Sequence, residues 1–322
     1  MTQAKGASAQ LMLIEEATYG TTPATPAGYV IPVSGIGGDW FSRSLIENPT
    51  LRSNRNPSAP VRGNTAVSGS FTMPLGLEYV GWILKHAIGD PATSGTAAPY
   101  THISKCGFNE AAAGEMEVGL TMEIGFTDIS QYHIYTGCKL NGFTITGSSE
   151  GVCTLDVQVA GQDYAQDTSS LDSSPTEYTD TTIDHFLMTM EEGGSSIANI
   201  KECSLTFSNN LDTSQYVIGS AGEIGSLPSG IASCTGSITA LFEDDTLLTK
   251  AENHTESDLD LIWTDGSYSL TLQVPELVYA PASPTVSGPD GVVATLNFQA
   301  FYTNHADATI LKATLVNTTS DY

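Results

Sequence analysis

Positive charge is what this sequence has least of: 11 lysines and arginines stand against 36 aspartates and glutamates in 322 residues, a formal net charge of −25. Phosphate recognition needs dense Lys and Arg, so attractive binding of nucleic acid by most of this surface is excluded. Long apolar runs are missing too, and nothing approaches the roughly 18 apolar residues that cross a bilayer as a helix. Residues 1–10 are followed by only Leu11-Met-Leu-Ile14 before Glu15 and Glu16, which is no signal-peptide core, so synthesis and folding in the cytoplasm are expected. The five cysteines (Cys106, Cys138, Cys153, Cys203, Cys234) are odd in number, widely spaced and never Cys-x-x-Cys. That pattern argues for free buried thiols on strands rather than a disulfide frame or a metal site.

Motifs that carry chemistry are equally scarce. The six histidines (His86, His102, His133, His185, His254, His305) have no His-Glu-x-x-His or comparable ligand spacing. Gly147-Ser-Ser-Glu-Gly151 satisfies the pattern of a nucleophile elbow, but that motif needs a helix after it, and strand-like alternation flanks this one on both sides. Gly219-Ser-Ala-Gly-Glu-Ile-Gly225 lacks the Lys and the following helix of a phosphate loop. The acidic pairs are Glu191-Glu192 and Asp244-Asp245, and the second opens a helical stretch, where the N-terminal dipole accounts for it. No catalytic constellation, cofactor or metal is therefore expected.

What the chain does have is a strand that runs straight into a helix. Before Pro74 the period is two, with Val67, Phe71 and Met73 apolar among small polar residues; after Gly76, Leu77, Val80, Gly81, Leu84 and Ile88 fall at helical spacing. Gly89-Asp90-Pro91 closes the helix. About 170 residues later the order recurs from Cys234 to Lys250, where Thr235-Gly-Ser-Ile-Thr239 aligns with Ser68-Gly-Ser-Phe-Thr72 without a gap. Thr295-Leu-Asn-Phe-Gln299 likewise matches Thr154-Leu-Asp-Val-Gln158. A duplicated module is the reading, and duplication suggests a repeating assembly.

The chain divides accordingly into an N-terminal arm (1–26), a first β domain (27–161), a polar acidic linker (162–182) and a second β domain (183–322). All four arginines lie within residues 43–62, which carry +3 and leave −28 for the remainder. Residues 47–63 hold three prolines and Arg52, Arg55 and Arg62 between two strands, an exposed basic loop of a length usually tied to function. Such a loop seeks an acidic surface, and its counterpart in the second half, residues 219–230, has no arginine.

Several of these pieces in order resemble a known family. Glu16-Ala-Thr-Tyr-Gly-Thr-Thr-Pro23, the Leu51-Arg-Ser-Asn-Arg55 loop, Val67 to Leu75 leading to Trp82, Pro99-Tyr-Thr-His102 and Tyr135 to Thr144 together look like the major tail tube protein of long-tailed bacteriophages with non-contractile tails. The resemblance implies a mainly β chain of two tandem β-barrel or sandwich domains, each with one helix packed on its outer side. It further implies sheets joined between neighbouring domains into a continuous inner barrel, rings stacked along the tail, and genome DNA passing through the lumen without specific binding.

Rings of this kind usually hold six domains, so a duplicated chain closes as a ring of three with approximate sixfold symmetry. Implied partners are further copies of the chain, the tape measure protein, and tail terminator and tip proteins, in a virion tail assembled in the host cytoplasm. A negative lumen suits DNA transit, because a basic wall would hold phosphates. Glu117, Glu123 and Asp156 are the candidate lumen acids, although alternation alone does not say which face is inward. Solubility or adaptation to salt is the plain alternative for the acidity. Arg52, Arg55 and Arg62 are the candidates for contacts between rings. The rival reading is a tandem β-sandwich adhesin or tail-tip host-binding protein, which should expose loop aromatics; Trp40, Trp82 and Trp263 sit on or beside expected strands or the helix instead.

Overall fold

A computed structural model describes residues 3–107, 118–178, 183–197, 199–242, 245–284 and 291–322. The first half contains β1 (Ala9–Glu15), β2 (Tyr29–Ile31), β3 (Gly35–Gly37), β4 (Phe41–Ile46), β5 (Val61–Pro74) and α1 (Val80–Ile88). It continues through β6 (Ala92–Ser94), β7 (Tyr100–Lys105), β8 (Leu120–Phe126), β9 (Gln131–Ser148), β10 (Thr154–Gly161), β11 (Asp163–Asp167) and β12 (Thr176–Glu177). The second half contains β13 (Met188–Glu192), β14 (Ser195–Ser196), β15 (Ile200–Ser208), β16 (Ser233–Leu241) and α2 (Thr246–Glu252). It ends with β17 (Ser257–Asp265), β18 (Tyr268–Tyr279), β19 (Val293–Ala300) and β20 (Lys312–Asn317).

The duplication seen in sequence is a duplication of topology. In the first half β4, β5, β10 and β9 lie side by side, all antiparallel; in the second, β15, β16, β19 and β18 do the same. The N-terminal part of β9 pairs instead with β8 and β11, and the N-terminal part of β18 with β17 and β20. β1 then flanks β8 as β13 flanks β17. Phe41 stands opposite Val67, and Phe207 stands opposite Cys234, the copy of Val67. Within the paired strands the register differs: Phe71 faces Val157, whereas its copy Ile238 faces Leu296, the copy of Leu155. The second module has slipped by two residues, an even number that leaves every side chain on its own face.

Residues Gln131–Ser148 form the single long strand β9. Gly137, at φ 60, bends it without ending it, and there it leaves one sheet and enters the next. A buried carboxylate holds this corner. Glu16 Oε1 accepts hydrogen bonds from Gly137 N (2.9 Å) and Thr121 Oγ1 (2.9 Å), and Oε2 accepts from Gly20 N (2.7 Å). At the matching corner of β18, Glu276 is also buried and accepts from Thr303 N (2.9 Å) and Asn304 N (3.3 Å).

The N-terminal stretch supplies more than an arm. Leu11, Met12, Leu13 and Ile14 are all buried in β1, which lies between β2 and β8, as a short continuous apolar run requires of a strand covered on both faces. The polar segment after residue 161 also takes part: β11 pairs with β9, β12 runs parallel to β2, and Asp172 accepts from Gly28 N at 2.9 Å.

Helix α1 is enclosed, with Val80, Trp82, Ile83, Leu84, Ala87 and Ile88 buried. The chain's last residues cross it, so that Tyr322 is buried where a Cβ on Gly81 would fall 2.3 Å from its ring. Lys85 Nζ donates to Tyr322 O at 2.8 Å and pairs with Glu15 at 2.7 Å. α2 is shallower and buries Leu248 and Ala251. The hairpin β6–β7 joins the second half's sheet through β20. One continuous apolar core spans both halves.

The halves meet strand to strand. β9 pairs with β15 from Gly142↔Ser208 to Ser148↔Glu202, placing Phe143 against Phe207 with ring centroids 5.7 Å apart. The result is one sheet in the order β4-β5-β10-β9-β15-β16-β19-β18, with β3 beside the C-terminal part of β5.

Two expectations follow. A Cβ on Gly142 would lie 2.1 Å from the carbonyl oxygen of Phe207, backbone that cannot step aside. Gly142→Ala is expected to cost about 1–3 kcal/mol by overpacking, more than Gly147→Ala, whose added methyl meets only the side chains of Cys203 and Met188; thermal unfolding of the two variants checks the order. Burial raises the Glu15 carboxyl, but the hydrogen bonds and charges of His86 and Lys85 outweigh it and hold the pKa at about 2, below 4.5. A depressed folded pKa gives stability present above the unfolded value and lost as pH falls through the folded one. The melting temperature should therefore fall between pH 4.5 and 2, and Glu15→Gln should flatten that part of the curve.

Candidate assembly surfaces and channel face

Four surfaces of the long sheet stand out: its two ends, its polar face and a projecting hairpin. At one end β3 and β4 pair with β5 alone among the described residues. At the other, the last residues of β18 pair with β19 and, at Leu277, with β17. These ends occupy the positions that β15 and β9 occupy at the internal junction. Among the described residues the chain thus carries one module-to-module joint, and its two outer strands lack a neighbour like the one that joint supplies.

The apolar side chains of the long sheet point into the core, and the opposite face is paved with hydroxyls. Reading straight across the strands, one row runs Thr72, Asp156, Thr144, Thr206, Thr235, Gln299, each directly opposite the next. The next row runs Thr154, Thr146, Ser204, Ser237, Asn297. Hydrogen bonds tie neighbours together: Thr144 to Thr206 at 3.0 Å, Ser204 to Ser237 at 2.9 Å, Thr239 to Thr295 at 2.9 Å, and Thr72 Oγ1 to Asp156. Thr and Ser are natural here, since threonine fits an exposed pleated surface and facing hydroxyls satisfy each other.

Of the three acids singled out in sequence, Asp156 stands on this face. Glu123 lies in the other sheet, buried on β8, where its carboxylate accepts from Ser170 Oγ and Leu171 N, both at 2.7 Å. Burial raises its pKa, with those hydrogen bonds opposing. It anchors residues 170–171 against β8, which removes it from any exposed wall. Glu117 lies outside the described residues. An acid that sequence reading passed over, Glu202, does stand on the hydroxyl face, opposite Ser148 and Thr239; a bulge between Ile200 and Glu202 hides its alternation.

The basic loop projects from the β4–β5 hairpin. Arg52, Arg55 and Arg62 are exposed and, among the described residues, have no acidic partner. Apolar side chains accompany them, with Leu51 97%, Leu45 72% and Ile46 53% exposed. The counterpart loop behaves differently. Residues 209–230 fold back on the first half, where Tyr216 OH donates to Thr65 O at 2.8 Å, Thr65 N donates to Gly222 O at 2.8 Å, and Ile224 and Leu227 pack on Ala160.

The motifs set aside in sequence find structural places. Gly147–Gly151 runs from the last residues of β9 into the turn before β10, with a strand following. His102 is buried, bonded to Thr93 Oγ1 at 2.8 Å and Thr319 O at 2.9 Å. Asp245 is the N-cap residue of α2, and Asp244 lies outside the described residues. A pairing not visible in sequence is Cys153 Sγ, 3.0 Å from His185 Nδ1 and accepting from Trp263 Nε1 at 3.2 Å. Burial pushes this thiol up and the imidazole down, which keeps both neutral, and Cys153 has no exposed surface. It packs rather than reacts.

A duplicated sheet joined through its own strands, left unjoined at both ends and bare on one face, defines a modular building block of a larger β assembly. Residues 6–300 match the family model of the phage tail tube protein, and the chain belongs to that family. It is accordingly a structural component of the phage virion tail that self-assembles into a tube. A search of curated proteins finds no match. Among the described residues no helix is long and apolar enough to cross a membrane.

The projecting hairpin yields a direct expectation. Leu45→Glu with Leu51→Glu should change stability by no more than about 0.5 kcal/mol, as surface substitutions do, yet abolish growth of tubes. Unfolding curves and sedimentation of assembled material measure the two effects separately.

Proposed function

We propose that this chain closes three to a ring in the tail tube of a long-tailed phage with a non-contractile tail, and that the stacked rings conduct the genome into the host. The observation that carries the reading is the β9–β15 junction. It shows within one chain how the trailing strand of one module accepts the leading strand of the next. Repeating that joint between chains sets the end of β18 against β3 and β4 of a neighbour, a heterologous contact that closes into a ring and removes both open edges. Two modules per chain make six positions from three chains, the domains being the halves either side of residues 162–182. The tape measure protein and the terminator and tip proteins are the further partners this role entails.

The exposed guanidinium groups of Arg52, Arg55 and Arg62 then reach acidic groups of the adjacent ring, where charge-assisted pairs fix the rotation between rings. Each exposed pair contributes only about 0.2–1 kcal/mol, so the effect depends on nine arginines per ring acting together with the apolar residues beside them. Since residues 209–230 are docked on their own chain, only the first-half loop reaches out, and successive rings engage at three places rather than six.

Mass measurement of isolated rings tests the closure: three 33.9 kDa chains are expected, and six full-length chains would overturn it. Replacing Arg52, Arg55 and Arg62 together by Ser should leave the circular dichroism unchanged and yield single rings without tubes, most clearly at low salt. Normal tubes from the triple variant at every salt concentration would refute the stacking role.

A further inference from the structure

Resting on the tube reading, we propose that a notch at the β9–β15 joint is the receptor for the β4–β5 hairpin of a chain in the adjacent ring, with Leu51 as the knob that enters it. Large apolar side chains left in water gather at opposite ends of the long sheet. Leu45, Ile46 and Leu51 lie on the hairpin, beyond the start of β5 at Val61. Val152, Phe186 and Leu187 lie at the other end, on the turn after β9 and on the short 3-10 turn His185–Leu187. That short turn is tied to the end of β9, because His185 N donates to Gly151 O and Ser148 N donates to His185 Nδ1, both at 3.2 Å. Antiparallel pairing fixes the polarity: β5 ends at Pro74, which faces Thr154, and Thr154 faces Thr146 near the end of β9. Strands laid side by side around a barrel present one end to each mouth. In a stack of rings the two apolar groups therefore face each other across every interface.

Shape and charge both fit this pairing. Between the ends of β9 and β15 and the strand β13 lies a cavity of about 250 Å³, where Met188, Met190, Ile200 and Cys203 form an apolar floor and Ser148 and Glu202 a polar rim. By volume it takes a leucine side chain, since about 150 Å³ already holds benzene, and methionine walls adjust to what enters. Leu51 is 97% exposed on the hairpin, and Phe186, next to His185 at the cavity's edge, is 77% exposed. Residues 47–62 carry Arg52, Arg55 and Arg62 against Glu47, a sum of +2. The notch presents Glu150, Asp184 and Glu202 against Lys201, a sum of −2, and all four are exposed. Among the described residues none of those three acids forms a salt bridge. An apolar knob among cations thus meets an apolar hole among anions, and every chain carries both. Because the notch is built where the two halves join, it occurs once per chain, as the hairpin does.

Cross-linking tests the seating. The five native cysteines are buried, so Leu51→Cys with Phe186→Cys adds two exposed thiols to an otherwise quiet surface. Treated with a short bis-maleimide, tubes of this variant should give a ladder of covalently joined chains on a denaturing gel, because each chain links to one above and one below. Either single variant, and the double variant as dissociated chains, should give no ladder. Ser53→Cys with Glu150→Cys, which spares both the knob and Phe186, should give the same ladder and serves where the first pair blocks tube growth. Normal tubes that yield no ladder from these pairs overturn the seating and leave the tube reading intact. Failure of the unsubstituted chain to form rings or tubes by electron microscopy overturns the tube reading, and this proposal with it.

Charge exchange tests the pairing. Arg52→Glu with Arg55→Glu should give rings without tubes at low salt, where screening is least, and so should Glu150→Lys with Glu202→Lys. The chain carrying all four substitutions should sediment roughly tenfold more tube than either pair alone, because opposite charges face each other again. Recovery of this kind requires the two surfaces to meet, which a separate structural role for each would not produce. A fourfold variant that closes rings but makes no tubes overturns the pairing, as does normal tube growth by either pair alone. Unfolding curves of each variant confirm that the fold is kept.

Discussion

The structure depends on one constraint: a β-sheet cannot end without leaving a row of backbone donors and acceptors unpaired. Within the chain the constraint is met at the β9–β15 junction, where the last strand of the first module becomes the neighbour of the first strand of the second. Gly142 and Gly236 flank β15 on either side, each where an added Cβ would come within 2.1 Å of a carbonyl oxygen, of Phe207 in one case and Ser204 in the other. Close backbone approach was kept on both sides of the strand that carries the joint, at the expense of glycine's looser unfolded chain. The apolar core continues through this point, so Phe143 and Phe207 belong to both modules at once.

Two of the buried carboxylates, Glu16 and Glu276, have a related task. Each sits where a long strand passes from one sheet to another and where the loop beside it would leave amide protons without partners. A buried carboxyl group that accepts from two or more such donors has its oxygens satisfied. Removing either would strand several donors in the interior, so these acids are structural despite belonging to the type of residue that marks active sites.

Much of this was legible in sequence, and the parts that were not have physical causes. The strand-to-helix switch at residues 67–88 and the copied Thr235–Thr239 stretch gave the modular plan, because period and turn chemistry are local. The strand β20 and the hairpin β6–β7 were passed over, since Ala92–Ser94 is small and polar and the hairpin's other partner, β20, lies more than 200 residues from β7. The polar run after residue 161 reads as a linker because β11 and β12 hold by backbone pairing and by Asp172 and Glu123, which no hydropathy pattern reveals. Alternation showed that Asp156 and Thr154 share a face with Gln158, but the choice of face needed the core. Burial of Glu123 came from contacts with Ser170 and Leu171, far along the chain.

The two-residue slip between the modules has an arithmetical consequence. Where one face of a sheet is all hydroxyl and the other all hydrocarbon, a strand can change its alignment with its neighbour only in even steps, for an odd step would turn Thr235 and Ser237 inward and Cys234 and Ile238 out to water. The sheet therefore acts as a parity check on the gene that encodes it. Insertions and deletions that accumulate after a duplication survive in pairs within strands or are absorbed in loops. The two copies of this module, alike in the order of the strands they share and unlike in almost every loop, bear the record of that filter.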